Sequence, residues 1–377
     1  MTMELYRTIK PEDHFSCNFF LMSKTNLKQA AEALAIGQSI GNPSVRSKYE
    51  TAEMMENHSA KIIADPDNLE KVKAGVVEIA WPYRNINWYS DGIAHLMCTV
   101  MGGQMDIDII QQCHWIDIHI DKTKADLQGP SYGLTGFRAH VNSYDKPLLG
   151  TIIKPKTGLN AETLSDIVKQ MVGGGVDFIK EDEIMSDPDC LTLEQRVSIV
   201  QPILDGSDTV YCYCINGDPH TIMDKARTVS GWGGMGVHIN FWSGMGAYKA
   251  IRDEDNGTFI HFQKSGDKVL TSKYNAYRIE WAVMCKLAGL IGCDTIHAGM
   301  YGGYMDMGYE ELKHVMDTCL EQNMVPALSC GMTKELIPGI REKFGNDWMA
   351  NVGGAIHTHP EGIEKAVKEL RETIDNG

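Results

Sequence analysis

From residue 148 onward, short apolar segments alternate with segments of helical character, and this alternation limits the possible folds more than any other feature of the sequence. The apolar segments span residues 148–154, 175–183, 209–216, 234–241, 258–263, 294–299, 325–330 and 348–354. Helical segments such as 161–172 and 277–290 separate them. Repeated strand–helix units form parallel sheets covered by helices, and eight of them are typical of a closed (β/α)8 TIM barrel.

An open, doubly wound sheet is the alternative arrangement of the same units. Its usual marks are a G-x-G-x-x-G turn after the first strand or a Walker-type phosphate loop. The sequence has neither motif at that place. The barrel is therefore the preferred interpretation.

The sequence before residue 125 has a different, mixed pattern. Residues 27–41 and 91–103 have the apolar spacing of helices, whereas 74–84 and 117–120 are typical of strands. A chain of 377 residues is long enough for two domains of about 150 residues each. The sequence predicts a small α+β (ferredoxin-like) N-terminal domain over residues 1–124 and the barrel over residues 125–377.

Charge and composition exclude several classes of protein. The 35 Lys and Arg residues against 50 Asp and Glu give a net charge of −15, which disfavours nucleic-acid binding. No apolar run is long enough for a bilayer, and residues 1–15 are too polar for a secretory signal. None of the ten cysteines form a C-x-x-C pair. We expect a cytoplasmic protein with reduced cysteines, no membrane partner and no structural zinc site.

Polar residues gather where six of the predicted barrel strands end. The functional side chains of a TIM barrel lie at the C-terminal ends of its strands. The residues at these ends are Lys154, Lys156, Lys180, Glu181, Asp182, Glu183, Gln263, Lys264, His297, Ser329, Gly353 and Gly354. One lysine or histidine at such a place is most often solvated or hydrogen-bonded in the core. Their convergence from several strands predicts a functional site.

The densest of these groups is the segment from Lys180 to Glu183. Lys180 and Asp182 are two residues apart and share a strand face, while Glu183 lies where the strand passes into its loop. Two carboxylates suit a hard cation such as Mg²⁺. A cation would repel an ammonium group, so Lys180 either pairs with a carboxylate or is converted into an anion. A salt bridge at the barrel rim is an equally good interpretation of the spacing alone.

Glycines after the last two strands indicate a site for a phosphate. Backbone N–H groups approach an anion closely where no Cβ intervenes, as at Gly353 and Gly354, and barrel loops seven and eight often hold phosphate. The turn from Ser329 to Gly331 adds a hydroxyl and further backbone donors. A tight turn without a ligand is the alternative explanation.

Six motifs resemble those of ribulose-bisphosphate carboxylase (RuBisCO), in the same order and near the same spacing. They are LQGPSYG (127–133), GTIIKPKTGL (150–159), GGVDFIKEDE (174–183), TIHAG (295–299), LSCGM (328–332) and NVGGA (351–355). The resemblance implies the barrel fold over the matched region. It also implies a homodimer or larger homo-oligomer, in which the N-terminal domain of one subunit closes over the barrel of another.

The resemblance also implies roles for the residues at the strand ends. Lys180 matches the lysine that reacts with CO₂ to become a carbamate, which joins Asp182 and Glu183 as a ligand of Mg²⁺. Lys154 matches the lysine that transfers protons near the substrate carbonyl, and Lys156 matches its neighbour, which supports the substrate and the carbamate.

The remaining matches concern the substrate. His297 and Ser329 match residues that hold its hydroxyl and phosphate groups, and Gly353 and Gly354 match the backbone cradle for one phosphate. Gly331 belongs to the same predicted anion site. A phosphorylated sugar is the expected substrate.

Three departures from the carboxylase change the expected reaction. The loop after strand six, 297–308, lacks the mobile lysine that stabilises the carboxylated intermediate. Gln263 and Lys264 replace a His-Arg pair after strand five, one member of which holds the second phosphate. Gly103 or Gln104 stands where the carboxylase has an asparagine near the metal site. Such a site is expected to enolise a substrate that carries one phosphate, without fixing CO₂.

Several activities agree with this interpretation. The preferred one is a RuBisCO-like isomerase of 5-methylthioribulose-1-phosphate, as in methionine salvage. The 2,3-diketo-5-methylthiopentyl-1-phosphate enolase is less favoured, because that subgroup uses a lysine as base where this chain has Gln104. A lyase that decarboxylates 3-oxo-isoapionate 4-phosphate needs no such base and remains a candidate. A true carboxylase is the least favoured enzyme, and a catalytically silent barrel has no physical reason to retain Lys180, Asp182 and Glu183.

Overall fold

A computed structural model describes residues 5–6, 9–42, 44–45, 47–254 and 257–377 of the chain. The strands in this part are β1 His14–Ser23, β2 Lys61–Ile63, β3 Ala74–Pro82, β4 Ile110–His119, β5 Leu148–Ile152, β6 Phe178–Lys180, β7 Val210–Cys214, β8 Gly236–Asn240, β9 Phe259–Gln263, β10 Tyr277–Ile279, β11 Thr295–Gly299, β12 Val325–Leu328 and β13 Met349–Val352.

The helices of the described residues alternate with these strands. They are α1 Leu27–Gly37, α2 Ala52–His58, α3 Pro66–Glu70, α4 Gly92–Val100, α5 Gly133–His140, α6 Ala161–Gly174, α7 Leu193–Leu204, α8 Pro219–Gly231, α9 Met245–Asp253, α10 Lys268–Thr271, α11 Trp281–Leu290, α12 Tyr309–Glu321, α13 Ile337–Phe344, α14 Gly354–His357 and α15 Ile363–Asn376. Short 3₁₀ turns occupy Tyr83–Asn85, Gly103–Asp106 and Phe241–Ser243. No helix in these residues is both long and apolar enough to cross a membrane.

The chain divides into two compact units. The first contains Met1–Leu127 together with Gly266–Met284, and the second contains Gln128–Ser265 and Cys285–Gly377. In the first unit five strands form a sheet in the order β10-β4-β1-β3-β2. Strand β1 is antiparallel to both of its neighbours, and Phe15 stacks on Trp81 of β3 with ring centroids 5.9 Å apart. Aromatic packing of this kind gives a small sheet its own core.

The second unit contains a closed barrel. Strands β5, β6, β7, β8, β9, β11, β12 and β13 follow one another around it, and β13 returns to β5 with Met349 opposite Leu148. Every neighbouring pair is parallel. The predicted (β/α)8 barrel with a separate N-terminal sheet domain is confirmed, and the open doubly wound sheet is excluded.

The amino end of the barrel is filled by apolar side chains. Phe137 of α5 lies among the first residues of the strands, with its ring centroid 5.0 Å from that of Phe259 and 6.3 Å from that of Phe178. Leu148 and Met349 belong to the same buried cluster. Because this end is closed by a packed core, polar side chains inside the barrel face its carboxyl end.

Local sequence signals set the helix limits. Helix α6 begins after Asn160, whose side chain accepts a hydrogen bond from the Thr163 N–H, and ends at Gly175 with φ +87°. Helix α7 begins with a capping box formed by Thr192 and Gln195. An oxygen at the N-cap satisfies a backbone N–H that has no partner within the helix, and a glycine tolerates the left-handed conformation after the last turn.

One predicted helix was partly wrong. Residues 277–279 form β10, which pairs in parallel with Cys113–Trp115 of β4 in the first unit. Segment 266–284, which the sequence analysis placed within the barrel domain, belongs to that first unit. The helix itself begins at Trp281. The ten cysteines all lie in the described residues and none forms a disulfide.

Candidate functional site

The short strand β6 ends on Lys180, whose amine lies inside the barrel. Its side chain is 1% exposed, and its Nζ is 3.7 Å from Oε2 of Glu183. Burial lowers the pKa of Lys180, although Glu183 and Asp182 favour the charged form. A buried amine that loses its proton more readily than an ordinary lysine is a better nucleophile.

Glu183 remains a carboxylate in the same place. Burial alone favours its protonated form, but the nearby Lys180 and a hydrogen bond from Ser265 outweigh this and lower the pKa of Glu183 to about 2. The Ser265 hydroxyl donates to Oε1 of Glu183 at 2.6 Å. The two oxygens of this carboxylate therefore have different partners.

Lys154 and Asp182 form the second pair of the cluster. The Lys154 ammonium donates to Oδ2 of Asp182, and the Ile184 N–H donates to Oδ1 at 3.2 Å. Asp182 is almost completely buried, whereas Lys154 is about a third exposed. The structure thus brings together Lys154, Lys180, Asp182 and Glu183, which the sequence analysis assigned to proton transfer and metal binding.

Histidines line the barrel interior beside Lys180. Ring centroids of His238 and His261 are 6.0 Å apart, and those of His261 and His297 are 4.6 Å apart. Burial lowers the pKa of all three well below 6.5, so they are neutral at pH 7. Ser329 Oγ is 3.1 Å from Nδ1 of His297. His297 and Ser329 therefore lie together, as substrate-holding residues of one site would.

The other predicted lysines differ in position. Lys264 is half-buried after β9, and its charge contributes, after burial, to the lowered pKa of His297. Lys156 is exposed in the loop after β5.

The turn after β12 has two consecutive left-handed residues, Cys330 with φ +75° and Gly331 with φ +105°. A Cβ on Gly331 would lie 2.9 Å from the backbone nitrogen of Tyr304. Loop 300–308 therefore packs directly against this turn, and only glycine fits at position 331. Ser329 precedes the turn and presents its hydroxyl to His297.

The two glycines after β13 border open space. A Cβ on Gly354 would have no neighbour within 4 Å, and one on Gly353 would meet only Ile152, at 3.8 Å. The short helix α14 begins at Gly354. The backbone at these two glycines therefore has open space beside it, which leaves room for an anion.

Neutral residues that were not predicted from the sequence join the strand-end loops. Asn216 Nδ2 donates to the Glu183 carbonyl, and Asn216 Oδ1 accepts from the Asn240 N–H at 2.7 Å. Asn240 Nδ2 in turn donates to the Ser265 carbonyl at 2.9 Å. Four loops are thereby connected around Glu183. The only available signal was the polar residue that ends each otherwise apolar strand.

A buried ion pair involves Glu181, the residue between Lys180 and Asp182 in the sequence. Glu181 and Arg196 are both fully buried, with the Arg196 Nε donating to Oε1 of Glu181 at 2.8 Å. The Tyr211 hydroxyl and the Cys214 N–H also donate to this carboxylate. Glu181 points away from Lys180 and Asp182, because alternate residues of a strand face opposite sides. It is a structural residue of the segment.

The donors at the end of β6 fit a Mg²⁺ ion bound together with a lysine carbamate. The described residues contain no group of three or more His, Cys, Asp and Glu side chains arranged to hold a metal ion. Two carboxylates, Asp182 and Glu183, and the readily deprotonated Lys180 do lie together. A carbamate on Lys180 would supply a third oxygen ligand of the kind that Mg²⁺ prefers.

A comparison with protein families identifies the family of the chain. The family described as ribulose bisphosphate carboxylase large chain, catalytic domain, matches residues 133–325. The chain belongs to the RuBisCO large-chain family. Its resemblance to the family, predicted from six motifs, is confirmed.

Relatives within the RuBisCO family have more than one activity. The chain is 27% identical over 375 residues to the ribulose bisphosphate carboxylase of Pyrococcus horikoshii, covering 95% of this chain and 85% of that one. It is 26% identical over 383 residues to the 2,3-diketo-5-methylthiopentyl-1-phosphate enolase of Geobacillus kaustophilus, covering 95% and 91%. The reaction of this member must therefore be argued from its own residues.

Solved structures of the RuBisCO family agree with the fold over nearly the whole chain. Octameric RuBisCO from Pyrococcus horikoshii matches with a TM-score of 0.89 and 26% identity, covering 99% of this chain and 91% of that one. A RuBisCO-like protein from Alicyclobacillus acidocaldarius matches with a TM-score of 0.80 and 25% identity, covering 96% and 93%.

Proposed function

We propose that this RuBisCO-family protein is a Mg²⁺-dependent enzyme that forms an enediolate from a phosphorylated keto-sugar and does not fix CO₂. The preferred reaction is the isomerisation of 5-methylthioribulose 1-phosphate. The observation that carries the proposal is the placement of Lys154 on Asp182, beside the buried Lys180 and Glu183. Bound Mg²⁺ would supply Lewis-acid stabilisation of the developing enediolate oxygens.

Each side chain of the site is assigned its own role in the reaction. Isomerisation removes a proton from the carbon beside the ketone and returns one at a neighbouring carbon. Lys154 is proposed to remove this proton as a neutral amine, after the ammonium on Asp182 has lost its own proton to solvent; its Nζ lies at the site and is partly exposed to an incoming substrate. Neutral His297 and the Ser329 hydroxyl would bind sugar oxygens. The backbone N–H groups at Gly353 and Gly354, which border open space, would hold the phosphate.

The absence of a lysine from loop 300–308 supports enolisation without carboxylation. The carboxylase reaction requires a cation to stabilise the carboxylated intermediate. Tyr304 and Met305, both exposed, stand in the centre of this loop. The loop packs on the turn at Gly331, and the backbone of the loop at Tyr304 leaves no room for a side chain on Gly331.

The enolase of the Geobacillus relative is the second candidate. Its reaction also begins from a phosphorylated ketone and removes a proton from the carbon beside a carbonyl, which gives an enolate. The position of its N-terminal base is occupied here by Gln104, whose backbone N–H donates to Oε1 of Gln38 at 3.0 Å. An amide is not a base, which is why the isomerase is preferred.

Proton exchange in D₂O tests the proposal. The purified protein, with Mg²⁺ and bicarbonate, is incubated separately with 5-methylthioribulose 1-phosphate, 2,3-diketo-5-methylthiopentyl 1-phosphate, 3-oxo-isoapionate 4-phosphate and ribulose 1,5-bisphosphate, and followed by NMR. We expect deuterium incorporation and isomerisation with the first compound. Decarboxylation of the third compound alone would instead identify a lyase. Radiolabel from bicarbonate fixed into the bisphosphate would contradict the proposal.

We also propose that the protein is a homodimer or a larger homo-oligomer. The related RuBisCO of Pyrococcus horikoshii is octameric. Sedimentation equilibrium of the full chain measures the assembly directly. A monomer at micromolar concentration would contradict this part of the proposal.

A further inference from the structure

The two carboxylate oxygens of Glu183 are used differently. Oε1 accepts the hydroxyl hydrogen of Ser265 at 2.6 Å. Oε2 lies 3.7 Å from Nζ of Lys180. The serine therefore fixes the rotation of the carboxylate, so that one oxygen faces the lysine that is proposed to carry the carbamate.

A third residue continues this chain of hydrogen bonds. Nε2 of Gln263 donates to the Ser265 hydroxyl oxygen at 2.9 Å. A carboxylate only accepts, so Ser265 must donate to Glu183, and the serine oxygen is then available to the Gln263 amide. The direction of these hydrogen bonds consequently requires that the NH₂ group of the Gln263 amide faces the serine.

The other end of this amide makes no regular hydrogen bond among the described residues, although the Gln263 side chain interacts with the ring of His261. Gln263 is 2% exposed, and its Oε1 is buried without a hydrogen bond among the described residues. A buried carbonyl oxygen in this state costs free energy unless a ligand or a water molecule donates to it. Because Nε2 donates to Ser265, the amide cannot rotate to give this oxygen a partner without losing that hydrogen bond.

The serine itself is held in place. Its carbonyl accepts from Nδ2 of Asn240, whose own N–H donates to Asn216. Ser265 follows β9 by two residues, and its partner Glu183 is 82 positions away in the sequence. The hydroxyl therefore reaches Glu183 from a fixed backbone.

We propose that Gln263 and Ser265 are positioning residues that orient Glu183 as a metal ligand, and that Oε1 of Gln263 accepts a hydrogen bond from an O–H group of the ligand. This O–H belongs either to a water molecule or to a sugar hydroxyl. The inference rests on the proposed function in requiring that the site binds a divalent cation. The proposal adds a subsite at the end of β9 that recognises a hydroxyl group.

Manganese binding tests the positioning role without any substrate. Mn²⁺ affinity of the 377-residue chain is measured by electron paramagnetic resonance in bicarbonate buffer. Loss of a hydrogen bond to a metal ligand typically weakens metal binding by about 10–100-fold. We expect a loss in this range for Ser265→Ala, and affinity restored to within about threefold by Ser265→Thr, which keeps the hydroxyl.

The control is Ser198→Ala, which removes an exposed hydroxyl that bonds only within α7. It should bind Mn²⁺ like the wild type. Wild-type affinity in Ser265→Ala would overturn the positioning role. If the wild type binds Mn²⁺ but exchanges no proton with any keto-sugar, the proposed function fails and the positioning role stands. If the wild type binds no Mn²⁺, both fail.

Gln263→Met tests the subsite, because methionine has a similar length but no amide. We expect weaker Mn²⁺ binding, since Ser265 loses its support. The KM for 5-methylthioribulose 1-phosphate is compared with the Mn²⁺ affinity of the same variant. If KM increases by a larger factor than the Mn²⁺ affinity decreases, the group that donates to Oε1 is a sugar hydroxyl. If KM and the Mn²⁺ affinity change by the same factor, the donating group is a water molecule. A variant in which both quantities equal those of the wild type would contradict the proposal.

Discussion

Nζ of Lys180 and Oε2 of Glu183 lie 3.7 Å apart at the end of β6, although the lysine is almost completely buried. Burial lowers the pKa of this lysine from its ordinary value of 10.5. Between the lowered value and 10.5, the unfolded chain binds one proton more than the folded chain. Stability therefore increases with pH across this window and is lost as the pH falls through the folded pKa.

The first prediction concerns this pH dependence. Lys180→Met should reduce the increase in unfolding free energy toward alkaline pH, because it removes the titrating amine. Urea unfolding in CO₂-free buffers at several pH values measures the slope, and Lys169→Met, at an exposed position of α6, is the control. Equal slopes for wild type and Lys180→Met would show that Lys180 has the same pKa in both states.

The second prediction concerns the carbamate. With bicarbonate and Mg²⁺, the wild type should gain a carbamate signal in ¹³C NMR, and Lys180→Ala should lack both the signal and Mg²⁺-dependent turnover. The reason is that Lys180 combines burial and a lowered pKa with two neighbouring carboxylates. Lys169→Ala should keep both properties. Turnover retained by Lys180→Ala would contradict the assignment.

The third prediction concerns the base. Lys154→Met should slow deuterium exchange at the carbon beside the ketone by at least about 100-fold, the lower end of general acid–base contributions. Asp182 should remain able to bind metal, so Mn²⁺ affinity serves as the control measurement. Exchange at the wild-type rate would show that another group removes the proton.

The barrel was largely predictable from the sequence because its strands are buried on both faces. Such strands are continuous apolar runs, and all eight predicted segments contain an observed strand. Each predicted segment is longer than the strand it contains, because the sequence pattern does not distinguish the last residues of a strand from the first residues of the adjoining loop. Strand β10 was missed because its three residues are stabilised by pairing with β4, more than 160 positions earlier, and not by local pattern.

The charged part of the site was predictable for a related reason. Lys180, Asp182 and Glu183 are close in sequence, so their proximity follows from strand geometry. The contact between Ser265 and Glu183 spans 82 positions and joins two loops. Neutral polar residues such as Ser265 are common in loops, and nothing in their local sequence distinguishes one that bonds a carboxylate. Only the closed barrel brings them together.

The fourth prediction concerns the buried ion pair behind the site. Arg196→Met should destabilise the protein by about 3–5 kcal/mol, because it leaves the fully buried Glu181 without its charged partner. Chemical denaturation measures the loss. Arg227→Met removes a pair of the same 2.8 Å length at the surface and should have a much smaller effect. Similar losses in the two variants would mean that Glu181 is stabilised by its other donors.

The fifth prediction locates the phosphate. A Cβ on Gly353 would be 3.8 Å from Ile152, an ordinary contact, so Gly353→Ala should fold. If the phosphate lies against this backbone, the added methyl group should raise KM for the phosphorylated substrate by about tenfold, equivalent to about 1.4 kcal/mol. Gly339→Ala in α13, where a Cβ meets nothing within 4 Å, is the matched control. An unchanged KM in Gly353→Ala would place the phosphate elsewhere.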